Sequence, residues 1–184
     1  VVDPYGWEGS GNDPWNPPSS YLWKYPLKEQ EQMSSSGGSI SNPSGNIRAD
    51  IPPGALTEQV TLELWDAPVA APSAQLRTTG RSFWLRVLEW LTGGASVQEV
   101  SAASFSQPIT LTVWYSPTHV LHLDETQLQI YHWDEAISTW TALPTMVDTV
   151  QRKAVAQTTE VGDFDLQAPL LCPADDHEPD DGYD

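Results

Sequence analysis

The feature that most constrains this chain is its punctuation after residue 37. From Gly38 onward, short runs alternating apolar and polar residues are separated by turns rich in Gly, Pro and Asp. A period of two sends successive side chains to opposite faces of a strand. Strands are expected at 39–40, 46–51, 59–66, 80–88, 108–115, 127–133, 138–143, 146–150, 153–158 and 163–168. Asn42-Pro43-Ser44-Gly45 carries Pro second and Gly fourth, which suits a tight turn between the first two. Pro52-Pro53-Gly54 ends the second. Only Phe83 to Gly94 is ambiguous, its apolar density also allowing a helical turn near Leu88 to Leu91. Strands this short at this spacing predict an all-β chain, an antiparallel β-sandwich of about 8–10 short strands.

The chain divides into an arm (1–36), a sandwich (37–170) and an acidic tail (171–184). The arm shows neither helical nor strand periodicity. It holds Pro4, Pro14, Pro17, Pro18 and Pro26, together with Tyr5, Trp7, Trp15, Tyr21, Trp23 and Tyr25. Disordered linkers are poor in aromatics, so this segment reads as an extended strap for an apolar surface. Fully extended, it reaches roughly 120 Å, against a radius of gyration near 14 Å for the body. It ends in Ser34-Ser35-Ser36-Gly37-Gly38, a joint. The strap can therefore wrap its own domain or reach another copy.

Alternation also assigns faces. Val60, Leu62 and Leu64 share one face, leaving Thr61, Glu63 and Trp65 on the other. Ile109, Leu111, Val113 and Tyr115 oppose Thr110, Thr112 and Trp114, and Leu128, Ile130 and His132 oppose Gln129, Tyr131 and Trp133. Trp65, Trp114, Tyr131 and Trp133 thus fall on faces that should meet solvent. If neighbours, such side chains amount to about 600–1,000 Å², more than a monomer usually exposes. Three covers suit them: the chain's own arm, another protein (including the arm of another copy), or a polysaccharide whose sugar rings stack on Trp and Tyr.

The 25 acids and 8 bases of the 184 residues give a net charge of −17. That argues against nucleic acid and anionic membranes as partners, since both need a basic surface. No apolar run reaches the roughly 18 residues that a membrane span requires. Six acids lie in Asp175 to Asp184, a stretch without Lys or Arg; the remaining 19 acids against 8 bases leave −11 on 1–174. Like charges without apolar anchors make a solvated tail. A calcium role for Asp175, Asp176, Glu178, Asp180 and Asp181 finds no matching loop spacing. The chain opens on Val1, which is expected of a processed or excised product. With three Lys and many Thr, Ser and Gln, a secreted or cell-surface location is expected. The single Cys172 excludes an internal disulfide, leaving a free or buried thiol, an intermolecular disulfide or an attachment point.

Catalytic constellations are lacking in the sequence. His119, His122, Asp124 and His132 have metal-ligating chemistry, but extended backbone sends His119 and His122 to opposite faces. Asp124-Glu125 and Asp134-Glu135 suit turns better than a glycosidase dyad. No nucleophile elbow, phosphate loop or dinucleotide fingerprint occurs. No cofactor, metal or enzymatic activity is expected.

Gly37-Gly38-Ser39-Ile40, Asn42-Pro43-Ser44-Gly45-Asn46-Ile47 and Ile51-Pro52-Pro53-Gly54-Ala55-Leu56 resemble the opening of the ZU-five domain, shared by zonula-occludens proteins, netrin receptors and ankyrins and found in related form in bacterial extracellular proteins. Pro108 to Tyr115, Leu128 to Asp134, Trp140 to Leu143 and Phe164-Asp165-Leu166 are similar to its later strands. The resemblance spans roughly 37–170 and implies a β-sandwich used for protein contact. Some members cleave themselves at a His-Phe-Ser site before the closing strand. Glu160, Val161 and Gly162 stand there instead, and without a nucleophile that reaction cannot run. The expected role is a non-catalytic structural or interaction module, one subunit of an extracellular assembly linked through its arm. The alternative is a carbohydrate-binding module using the outward Trp and Tyr.

Overall fold

The computed structural model describes residues 28–67, 76–90, 97–99 and 104–171. The alternation becomes twelve strands among the described residues: β1 (Lys28–Met33), β2 (Gly38–Ser41), β3 (Ile47–Ile51), β4 (Val60–Asp66), β5 (Leu76–Trp90), β6 (Val97–Glu99), β7 (Ser104–Trp114), β8 (Gln129–Asp134), β9 (Thr139–Ala142), β10 (Thr145–Asp148), β11 (Lys153–Glu160) and β12 (Gly162–Pro169). Single 3-10 turns occupy Pro117–His119 and Glu125–Gln127. The first sheet runs β1-β4-β5-β12-β8-β9, with β6 paired to β5, and the second runs β10-β11-β7-β3-β2. Every pairing is antiparallel. The chain is an antiparallel β-sandwich.

The alternating apolar residues make its core. Leu62, Leu64, Phe83, Leu85, Phe164 and Leu166 of the first sheet are buried, as are Ile47, Ala49, Ile109, Leu111, Val113 and Ala154 of the second. Phe83 and Phe164 stack across adjacent strands at 5.2 Å between centroids. His132 continues that inward row, 4.9 Å from the Phe164 ring, and its Nε2 donates to the Val161 carbonyl at 3.0 Å.

Two expectations shift. The ambiguous run is strand through Trp90, so Leu88 to Trp90 form no helical turn. The arm is shorter than 1–36, because Lys28–Met33 is the edge strand of the first sheet. Its sequence KEQEQM lacks alternation because an edge strand needs little burial. Met33 alone reaches the core, and charged side chains suit an open edge.

Candidate interaction surface

The outward face of the first sheet holds most of the described tryptophans. Inward Phe83, Leu85 and Val87 force Trp84 and Arg86 outward on β5. Trp84 stands in register with Trp65 of β4 on one side and Asp163 of β12 on the other. Phe164 pairs with His132, which sets Asp163 beside Trp133 of β8, itself in register with Trp140 of β9. One line perpendicular to the strands therefore reads Trp65, Trp84, Asp163, Trp133, Trp140. Five adjacent strands at their usual spacing make that line about 19 Å long.

The rings on each side of Asp163 touch. Trp65 and Trp84 meet edge to face at 4.7 Å, and Trp133 and Trp140 at 5.4 Å. The Arg86 guanidinium lies 4.4 Å from the Trp84 centroid and 5.7 Å from that of Trp65. A cation over an indole face is attracted by the ring quadrupole, and indole is the best such platform. Beside Trp133 a cleft of about 280 Å³ is lined by Arg86, His132, Asp134, Glu135, Glu160 and Asp163, among others. His132 Nδ1 stands 3.7 Å from a Glu160 carboxylate oxygen. The floor is the β11–β12 turn. Gly162 adopts φ +131° there, and a Cβ on it would stand 3.0 Å from His132 Nε2.

The structure separates the four sheet residues named from the sequence. Trp65, Tyr131 and Trp133 share the outward face of the first sheet. Trp114 ends β7 in the second sheet, in register with Lys153, so it belongs to the opposite side of the sandwich. Alternation gives a residue's face within its own sheet but not which sheet its strand joins. Tyr131 donates its hydroxyl to Gln129 Oε1 at 3.2 Å, and burial pushes its phenol up. Trp84 and Trp140, missed from the sequence, complete the line. Trp84 was legible from Phe83, Leu85 and Val87. The four residues of β9 are too few to show a period. Tyr5, Trp7, Trp15, Tyr21, Trp23 and Tyr25 of the arm lie outside the described residues, as do Cys172 and the acids of the tail.

The candidate chemical groups have structural work. His119 Nδ1 accepts the Ser116 backbone N–H at 2.8 Å, and burial, with Arg81 nearby, lowers its pKa. Asp124 accepts the backbone N–H and hydroxyl of Thr126, whose donation holds its carboxyl low. Asp134 accepts the Ala136 N–H. Among the described residues, no group of three or more His, Cys, Asp and Glu is placed to hold a metal ion. No described helix is long and apolar enough to cross a membrane. No family model matches the chain, and no curated protein matches it either.

Proposed function

We propose that this chain is a non-catalytic interaction module whose contact surface is the tryptophan line on the outward face of the first sheet. In this reading it is a subunit of an extracellular or cell-surface assembly, and the arm of one copy covers the line of another. The observation that carries the reading is the junction between arm and sheet. The arm enters the first sheet at Lys28, and Lys28 is in register with Trp65, the first tryptophan of the line. Twenty-seven residues precede Lys28, a contour of roughly 90 Å against a line of about 19 Å. An aromatic, Pro-rich segment attached at the end of an aromatic face suits strap-like packing in cis or in trans. The resemblance to ZU-five domains leads to the same role.

Light scattering on the full chain and on residues 28–184 tests this; the cut spares β1. Oligomers of the full chain that dissociate on truncation support assembly through the arm. A full chain that stays monomeric at high concentration defeats it. The cleft beside Trp133 favours a second reading, carbohydrate binding, because an indole platform flanked by Asp134, Glu160 and Asp163 offers both stacking and hydroxyl acceptors. Retention on a polysaccharide that Trp133→Ala abolishes would select it.

A further inference from the structure

The inner strand β12 is buried on both faces from Phe164 to Ala168. Its outward residues Asp165 and Gln167 are fully buried, although alternation marks them for solvent. Three side chains converge on the Asp165 carboxylate. Thr78 donates its hydroxyl to Oδ1 at 2.8 Å, Ser82 donates to the same oxygen at 2.9 Å, and the Gln167 amide Nε2 donates to Oδ2 at 2.9 Å. Thr78 and Gln167 are direct cross-strand partners in the β5–β12 ladder. Side chains so paired start from Cβ atoms about 4.5–5.5 Å apart. The Gly80 N–H donates to Thr78 Oγ1 at 2.9 Å and fixes that oxygen from its other side. The Gln167 amide oxygen is buried with no hydrogen-bond partner among the described residues.

We propose that Thr78 and Gln167 form an intramolecular ester, a covalent tie between β5 and β12, with Asp165 carrying the proton. Thr78 Oγ1 attacks the Gln167 amide carbon while its proton passes to Asp165 Oδ1. The carbon–nitrogen bond breaks, Asp165 returns a proton to the departing nitrogen, and ammonia leaves. One O–C bond replaces one N–C bond, so no oxidant, metal or co-reactant is needed. Three features favour the step. The hydroxyl and the amide are both held on one carboxyl group, which gives the proximity that makes intramolecular reactions fast. Burial raises the Asp165 carboxyl, against the lowering effect of its hydrogen bonds, so its carboxylate is a better base for a hydroxyl proton. Burial of Asp165 and Gln167 also keeps hydrolytic water away from the product, while the half-buried Thr78 leaves ammonia an exit.

Thr78 rather than Ser82 is the nucleophile, because Ser82 is in register with Asp165 and not with Gln167. The tie sits two residues before the end of β12, the point where tension from the following chain would begin to peel that strand from the sheet.

Intact-mass measurement of the purified full chain decides the matter, with proteolytic mapping of the linked fragments. The expected mass is below that of the sequence by one ammonia, about 17 Da, with the fragments of Thr78 and Gln167 joined and released by hydroxylamine, which cleaves esters. Thr78→Val and Asp165→Asn should restore the full mass, and Ser82→Ala should keep the loss. A folded wild-type chain at its full sequence mass overturns the proposal, as does a link mapped to any other pair. The wild-type measurement is decisive even if a variant fails to fold.

Discussion

Asn42 donates its side-chain Nδ2 to Asp66 Oδ1 at 2.7 Å, joining the β2–β3 turn of the second sheet to the end of β4 in the first. The same amide's Oδ1 accepts the backbone N–H groups of Asn46 and Ile47, at 3.0 and 2.9 Å. Asn42 is 3% exposed and Ile47 fully buried, so water is no ready substitute for the amide at the Ile47 N–H. Asn42→Ala strands two backbone donors and one carboxylate oxygen, and an unsatisfied buried group costs about 1–3 kcal/mol. The expected loss is about 2–4 kcal/mol, read as a lower denaturant midpoint at unchanged slope. An unchanged midpoint would show that water replaces the amide.

Gly37 sits at φ +71°, and a Cβ added to it would lie 2.8 Å from the Pro52 carbonyl carbon and 2.9 Å from Pro53 N. The Gly-Gly and Pro-Pro-Gly blocks that are separate in sequence are thus packed together, and the Gly54 N–H reaches the Ser35 carbonyl at 2.8 Å. Gly45 has nearly the same backbone, φ +69°, with nothing within 4 Å of its Cβ site. Gly45→Ala should therefore cost only the conformational strain of about 1–2 kcal/mol, and Gly37→Ala distinctly more, because backbone cannot move aside as a flexible side chain can. Thermal unfolding of the two variants separates the effects; equal losses would show that the Pro52–Pro53 contact yields.

The core was legible in the sequence because burial on one face enforces a period of two. Leu62, Leu64, Ile109, Leu111, Val113 and Ile130, assigned inward by alternation, are all fully buried. Trp114 shows the limit. Its outward face was legible, but β7 joins β3 and β11 rather than β8, and strand order depends on long-range pairing that no local pattern encodes. Asp165 and Gln167 mark a second limit. Their alternation reads as solvent-facing, yet both are fully buried, so the polar cluster around them carries no sequence signal of its own. The strand β1 escaped for the opposite reason, since a polar edge strand needs a backbone ladder more than an apolar stripe.

Trp133 and Trp140 face each other across β8 and β9 at 5.4 Å with planes at 63°. An edge-to-face pair contributes about 0.5–1.5 kcal/mol beyond the area it buries. A double-mutant cycle of Trp133→Ala and Trp140→Ala, measured by chemical denaturation, should return a coupling in that range, while each single variant keeps its native β-sheet circular dichroism. Zero coupling would mean that the two rings do not share one surface in solution.

Asp165 makes stability depend on pH in an unusual direction for a carboxylate. Burial raises its pKa in the folded state above the ordinary value of about 4. The folded state therefore holds this proton more tightly than the unfolded chain does. Its contribution is complete below the ordinary carboxylate pKa and is lost as pH rises through the raised folded value. Because the tie proposed above would be lost in Asp165→Asn, the comparison is made in a Thr78→Val background, where no tie can form; there Asp165→Asn supplies a reference that does not titrate at this position, and the other carboxylates are common to both proteins. The stability of Thr78→Val relative to the Thr78→Val/Asp165→Asn double variant should increase as pH falls from neutral towards the ordinary carboxylate range, measured as paired denaturant midpoints. A difference that shrinks on acidification would show that the hydroxyl of Ser82 and the amide of Gln167 outweigh burial and hold the carboxylate ionised.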